Sequence, residues 1–247
     1  MDNLSDKLSE LNVGCVLDNV CYNHLFYADD SVIMAPSPKA LQNILCVCEE
    51  YGYTNEIVYN TNKTVCVAFL TKSLKKRNLP KICLSGVVLS WVQEYKYLGF
   101  YITESNSDNR DIQRQLRFIY ANGNNLIRKF RNCSTQIKLQ LFRSYCYNLY
   151  CCHLWSTYTQ RRYNSIKVAY NNVFRHLFNI KHRCSISQVY MCNRVNSFVC
   201  LIRKSICSFR ARLYSSQNIL LTTIVNSTVF MNTSKLFITW SSQIFTV

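Results

Sequence analysis

The residues in this chain best suited to chemistry are two adjacent aspartates, Asp29 and Asp30, set between short apolar runs in residues 23–35, NHLFYADDSVIMA. Carboxylates side by side are costly to ionise unless solvent, hydrogen bonds or a cation screens them. A hard divalent cation does this well. Oxygen ligands suit magnesium, and a metal held that way lowers the pKa of an attacking hydroxyl or steadies a triphosphate. The plain alternative is a turn, because aspartate hydrogen-bonds its own backbone there. On the pair alone the two readings stand level.

For the pair to act, it must be held at the tip of a hairpin, and the β-prone runs on either side predict one. Pro36-Ser37-Pro38 then ends the second strand. Ser37 is placed to cap a helix whose first position is Pro38, with Gly52 as its stop. Leu41, Ile44, Leu45, Cys48 and Tyr51 share one face of that helix, and Glu49 and Glu50 point outward. Strand-like runs follow at residues 56–60, 64–70, 82–92 (turning near Ser85-Gly86) and 95–103. Before the hairpin, LSDKLSEL has a helical pattern, and Asp18 beside Asn19 reads as a loop.

Charge divides the chain sharply. All 13 acidic residues lie between Asp2 and Asp111, against 10 Lys/Arg in the same stretch, whereas residues 112–247 hold 19 Lys/Arg and no acid. Such a stretch repels itself unless an anion lies beside it, and nucleic acid is the commonest such partner. Arginines interleaved with Tyr, Phe and Trp suit phosphate contact and base stacking. A solvated basic face and a membrane-surface helix are the other readings. From Ile112 the periodicity turns helical: Ile112, Leu116 and Ile119, then Leu126, Ile127 and Phe130, with a break expected at Gly123. Arg114, Arg117, Arg128, Lys129 and Arg131 lie among them and are the candidate nucleic-acid-binding residues. Further helices are expected over residues 137–154 and 165–180, while residues 215–247, with Lys235 their one charge, carry no clear period.

Fourteen cysteines follow no secretory signal, so they read as reduced thiols of an intracellular protein, nuclear or cytoplasmic and not secreted. Cys46-x-Cys48, Cys151-Cys152-His153 and His182-x-Cys184 do not repeat the spacing of a zinc module; buried thiols packing as small apolar groups are the expectation. No window is long and apolar enough to predict a bilayer span.

The order of the blocks is more specific than any one of them. Phe26-Tyr27-Ala28-Asp29-Asp30, an amphipathic helix, Asn60-Thr61-Asn62-Lys63-Thr64 and Tyr95-Lys96-Tyr97-Leu98-Gly99 follow one another. This series resembles the later blocks of reverse transcriptases of non-LTR (LINE-type) retrotransposons: the YxDD catalytic hairpin, the lysine-bearing loop and the primer-grip turn. The resemblance spans residues 1–104. It implies that Asp29 binds Mg2+ with Asp30 supporting the site, that Lys63 lies near the phosphates of an incoming dNTP, and that Tyr97, Leu98 and Gly99 form the primer grip. After it, residues 105–214 resemble the family's helical thumb in place and charge. Leu149-Tyr150-Cys151-Cys152-His153-Leu154-Trp155 is similar to its "LYG..W" segment, with Cys151 where glycine is usual.

The fold class expected is therefore α+β: a partial palm of hairpin, helix and antiparallel strands over residues 1–104, a basic helical region over 105–214, and an unassigned tail over 215–247. The family's clamp also needs an aspartate on an earlier strand, and none of Asp2, Asp6 and Asp18 resembles it. The resemblance thus implies an N-terminally truncated RNA-directed DNA polymerase, with an RNA template and DNA primer as partners and no polymerase activity from this chain alone. The alternative is a non-catalytic nucleic-acid-binding protein using the basic helices. A small reduced α+β domain without a nucleic-acid role would leave the acid-free half unexplained.

Overall fold

A computed structural model describes residues 2–70 and 78–245. The chain is mixed α+β and divides into two compact units, Met1–Tyr95 and Lys96–Val247. The division falls earlier than the change of charge at Asp111.

In the first unit, α1 (Asp2–Glu10) is followed by two hairpins, β1 (Cys15–Leu17) with β2 (Val20–Tyr22) and β3 (His24–Tyr27) with β4 (Asp30–Ile33). Then come α2 (Pro38–Thr54), β5 (Val65–Cys66), β6 (Cys83–Leu84), β7 (Val87–Val88) and β8 (Ser90–Trp91). Ser37 caps α2 as its sequence predicts, its Oγ accepting from the Ala40 N–H at 3.2 Å, with Pro38 in the first turn. The stop is not Gly52. The helix runs on to Thr54, and the Ile57 N–H bonds back to the Gly52 carbonyl at 2.8 Å across Glu56, whose φ is 56°. This is a Schellman closure with glutamate at the left-handed position. It uses up residues 56 and 57, so the strand expected at 56–60 does not form; Tyr59 instead packs back on α2, its hydroxyl donating to the Cys48 carbonyl at 3.0 Å.

Two faces of α2 are buried. Ile44, Cys48 and Tyr51 meet Leu4 and Leu8 of α1, while Leu45 meets Cys66, Ile82, Leu84 and Leu89. The Gln42 side chain joins β6 as a strand would: its amide donates to the Cys83 carbonyl at 2.9 Å and its carbonyl accepts from the Cys83 N–H at 2.8 Å. Glu49, expected to face solvent, accepts from the Ser85 N–H. Among the described residues the strands make five two-stranded sheets and no continuous one, and β5 pairs with β8 in parallel.

The hairpin of β9 (Glu94–Tyr97) and β10 (Phe100–Thr103) spans the division. The second unit continues with α3 (Asn109–Phe130), α4 (Thr135–Cys146), a 3-10 turn at Cys152–Leu154, α5 (Gln160–Leu177), α6 (Ile186–Cys192) and α7 (Phe198–Tyr214). The single helix expected over 137–154 ends at Cys146. The break expected at Gly123 is absent: α3 passes through it without interruption, because Gly123 faces a second helix. A Cβ at Gly123 would stand 2.5 Å from Cγ1 of Val173 in α5. The two helices run in parallel. Near their starts the Asp108 N–H donates to the Thr157 carbonyl at 2.8 Å and the Thr159 N–H to Asn109 Oδ1 at 3.0 Å, and Arg131 and Arg175 line one cleft at their ends. Ile119 and Leu126 of α3, Phe142 of α4, Tyr170 and Phe174 of α5, and Phe198 of α7 belong to one buried cluster.

The tail without period is helical: α8 (Ile219–Asn226), α9 (Thr228–Thr233) and α10 (Lys235–Phe245), with Thr246 and Val247 outside the described residues. It docks through Trp240, which is 1% exposed and whose Nε1 donates to the His153 carbonyl at 2.6 Å. No helix among the described residues is long and apolar enough to cross a membrane.

Candidate nucleic-acid interface

The acidic pair sits at the tip of the β3–β4 hairpin. Tyr27 pairs with Asp30, so Ala28 and Asp29 are the two turn residues. Of the two, Ala28 has positive φ (53°), as the first residue of a tight two-residue hairpin turn commonly does. Asp29 and Asp30 are both exposed.

The hairpin's base is held by residues the sequence reading passed over. Buried Asn23 donates from Nδ2 to the carbonyls of Leu8 (2.6 Å) and Val13 (2.9 Å), which fixes its amide. Its Oδ1 therefore accepts from His24 Nδ1–H at 2.7 Å, leaving Nε2 to accept the Ser5 hydroxyl at 2.6 Å. Burial lowers the His24 pKa, which favours this neutral tautomer. The only sequence signal was Asn-His directly before a β-run.

Lys63 is exposed in the turn before β5, its backbone N–H bonded to Asn60. Among the described residues no ion pair joins it to Asp29 or Asp30, and no group of three or more His, Cys, Asp or Glu converges as a metal site. Two carboxylates on an exposed tip offer oxygen ligands to a hard cation. They do not by themselves make a two-metal clamp.

Tyr97, Leu98 and Gly99 occupy the β9–β10 turn, where Leu98 and Gly99 have φ of 45° and 83°, the type I′ pattern. Tyr150 fits against this turn. Its hydroxyl donates to the Leu98 carbonyl at 2.7 Å, and a Cβ on Gly99 would lie 3.0 Å from its ring. Glycine is needed here for both its φ and the close approach of Tyr150. The next residue, Cys151, is left-handed too (φ 59°, ψ 14°), so the backbone has the geometry glycine favours although the side chain is cysteine. Trp155 then donates from Nε1 to Asp111 Oδ2 at 2.9 Å, and Asp111 is 0% exposed. Two segments about 50 residues apart in sequence are thereby interlocked.

A left-handed non-glycine residue costs about 1–2 kcal/mol, part of which returns to the unfolded chain when glycine replaces it. Cys151→Gly is therefore expected to leave stability unchanged or raise it by up to about 1 kcal/mol, while Cys151→Val, β-branched at the same φ, loses about 2 kcal/mol. Urea unfolding midpoints of the two variants check this; equal losses in both would show that the thiol matters more than the backbone.

The five basic candidates separate in the structure. Arg117, Arg128, Lys129 and Arg131 are exposed on α3 or just after it. Arg114 is not a free cation: its Nε donates to Asp111 Oδ1 at 2.8 Å, Nη2 lies 2.8 Å from the same oxygen, and the guanidinium stands 5.9 Å over the Tyr150 ring. Its role is internal. Exposed cations the sequence reading did not single out include Arg161, Arg162 and Lys167 on α5 and Lys181 and Arg183 after it.

All fourteen cysteines are free. Cys48 and Cys152 are buried with their thiols pushed up to about 11, and Cys146 to about 12, chiefly by desolvation, so they pack as apolar groups. No protein-family model, curated protein or solved structure matches this chain.

Proposed function

We propose that this chain is a reverse-transcriptase-like segment of the non-LTR type that grips a nucleic-acid backbone through its basic helical unit and lacks polymerase activity by itself. The observation that carries the reading is the interlock of Tyr150 with the Leu98-Gly99 turn. The two blocks that resemble the primer grip and the segment behind it are adjacent in space, and Cys151, at the position where the resemblance expects glycine, has the left-handed backbone that glycine favours. A chance similarity of short motifs gives no reason for either. The exposed cations of an acid-free stretch supply the charge that phosphate contact needs.

In this reading Asp29 and Asp30 contribute part of a Mg2+ clamp and Lys63 a phosphate contact, on an RNA template with a DNA primer and dNTP. Nucleotidyl transfer needs charge preorganised around both the attacking and the leaving oxygen. Two carboxylates on one exposed tip supply only part of that. Binding without chemistry is the expected behaviour of the isolated chain.

Primer extension on an RNA template with magnesium should give no product. Extension that disappears in Asp29→Asn would overturn the inactive half of the proposal. Binding to an RNA–DNA primer duplex should weaken as salt rises, log K falling against log salt with a slope of about −4 or steeper for four or more backbone contacts. Asp29→Asn should leave that slope unchanged, and a flat response would remove the nucleic-acid half.

A further inference from the structure

The ends of the parallel helices α3 and α5, with the loop after α5, enclose a cleft of about 420 Å³. Four cationic or imidazole side chains line it without bracing it: Arg131, His176, Lys181 and His182. A fifth, Arg175, is committed to the loop itself, donating from Nη1 to the Lys181 carbonyl and from Nη2 to the Cys184 carbonyl, both at 2.8 Å. The Ile180 N–H closes on the Arg175 carbonyl at 2.9 Å and the Cys184 N–H on that of Lys181 at 3.1 Å. Lys181 and His182 are thus presented by a braced loop, which reduces the ordering cost a ligand would meet. Ile127, Leu177 and Ile180 give the cleft an apolar floor.

We propose that this cleft binds phosphate groups of a nucleic-acid backbone, a specific contact within the basic unit that rests on the function proposed above. The competing explanation is that these cations only complement the negative ends of two helices. Each helix end carries about half an elementary charge, so two parallel ends account for about one. Arg131, Lys181 and Arg175 bring three charges without counting either imidazole, no carboxylate lines the cleft, and no Asp or Glu follows Asp111 in the sequence. The surplus positive charge is what an anion would neutralise. The volume falls in the range of small-ligand sites, about 300–1,000 Å³, enough for a phosphate with part of its sugar on the apolar floor.

The chain has four histidines, two in the cleft and two, His24 and His153, in internal hydrogen-bond networks. Their ring resonances therefore carry their own control. In the full chain near neutral pH, inorganic phosphate and an RNA–DNA primer duplex are each expected to move the His176 and His182 signals and leave those of His24 and His153 in place. Arg131→Ser with Lys181→Ser should weaken duplex binding by about tenfold or more and make the salt slope shallower by about two. Arg161→Ser with Arg162→Ser, at the other end of α5, removes the same charge and should cost about threefold or less. Thermal unfolding of both double variants verifies that they fold.

If the wild type binds duplex in a salt-dependent way but the two double variants weaken equally, the cleft is not a specific site and the general nucleic-acid reading survives. If phosphate moves the cleft histidines but no duplex binds, the nucleic-acid reading fails and the cleft is a free-anion site, which overturns the proposal as stated. Equal movement of all four histidines, or of none, also overturns it.

Discussion

Asp111→Ala is expected to destabilise the second unit by about 3–5 kcal/mol, the cost typical of removing one partner of a buried pair. Asp111 is 0% exposed, and both of its oxygens are in use: Oδ1 by the Arg114 guanidinium, Oδ2 by the Trp155 indole. Its removal leaves a largely buried cation and a buried indole N–H without their acceptor, while Gln115, whose Oε1 takes Arg114 Nη1 at 3.3 Å, is already bonded through Nε2 to the Asn148 carbonyl at 3.1 Å. Asp111→Asn keeps an acceptor but loses the charge, so it should fall between the wild type and Asp111→Ala. Adding Arg114→Leu to Asp111→Ala should recover part of the loss, since the stranded charge is the larger share of it. Urea unfolding of the three variants reads the order directly. A loss under about 1 kcal/mol for Asp111→Ala would mean that water reaches the pair and that the network is not what orients Trp155.

Gly123→Ala is expected to cost about 2 kcal/mol even though alanine is the better helix former by about 1 kcal/mol. The new methyl would stand 2.5 and 2.6 Å from the two γ carbons of Val173 and 3.1 Å from its Cβ. Valine in a helix is held near one χ1, and with both γ carbons and the Cβ at the contact a rotation offers no relief. The helices must separate, and α3 and α5 pack against each other more extensively than any other pair of elements. Val173→Ala alone should cost a buried methyl pair, yet in combination with Gly123→Ala it should restore much of the stability. A double-mutant cycle with coupling near zero would show that the clash is absorbed elsewhere.

Some of this was legible in sequence because the determining interaction was local. Ser37-Pro38 identified the start of α2, the pair of β-runs about Asp29 gave the hairpin, and Ser85-Gly86 the turn between β6 and β7. What was not legible depended on partners far along the chain. Gly123 carries the same local signal whether it breaks a helix or admits a neighbour, and only Val173 distinguishes them. Gly52 carries the signal of a stop for the same reason, while the real stop uses Glu56, a residue with no preference for that conformation. Arg114 reads as one basic residue among several until Asp111 and Trp155 are seen around it. The tail has no clear period because, among its described residues, only Val225, Ser227 and Trp240 are fully buried, while Leu221, Phe230, Leu236 and Phe237 are covered in part. Of the candidate site, the residue types at Asp29, Asp30 and Gly99 were visible; the networks supporting them, from Asn23, His24 and Tyr150, were not.

The parallel pairing of α3 and α5 also bears on how the chain reaches its fold. Antiparallel helices meet through a short turn, but parallel ones must wait for the connecting segment, here α4 and the 3-10 turn, to be made and folded back. The link from Asp108 to Thr157 closes a loop of 49 residues, an entropic cost of about 3–4 kcal/mol incurred before the contacts form. The hairpins of the first unit need no such closure and form on a microsecond scale. During synthesis α3 therefore leaves the ribosome with its Gly123 face uncovered, and it stays so until some 40 further residues have emerged. At roughly 5–20 residues per second that interval is on the order of seconds, long enough for a chaperone to bind the bare face before Val173 arrives to cover it.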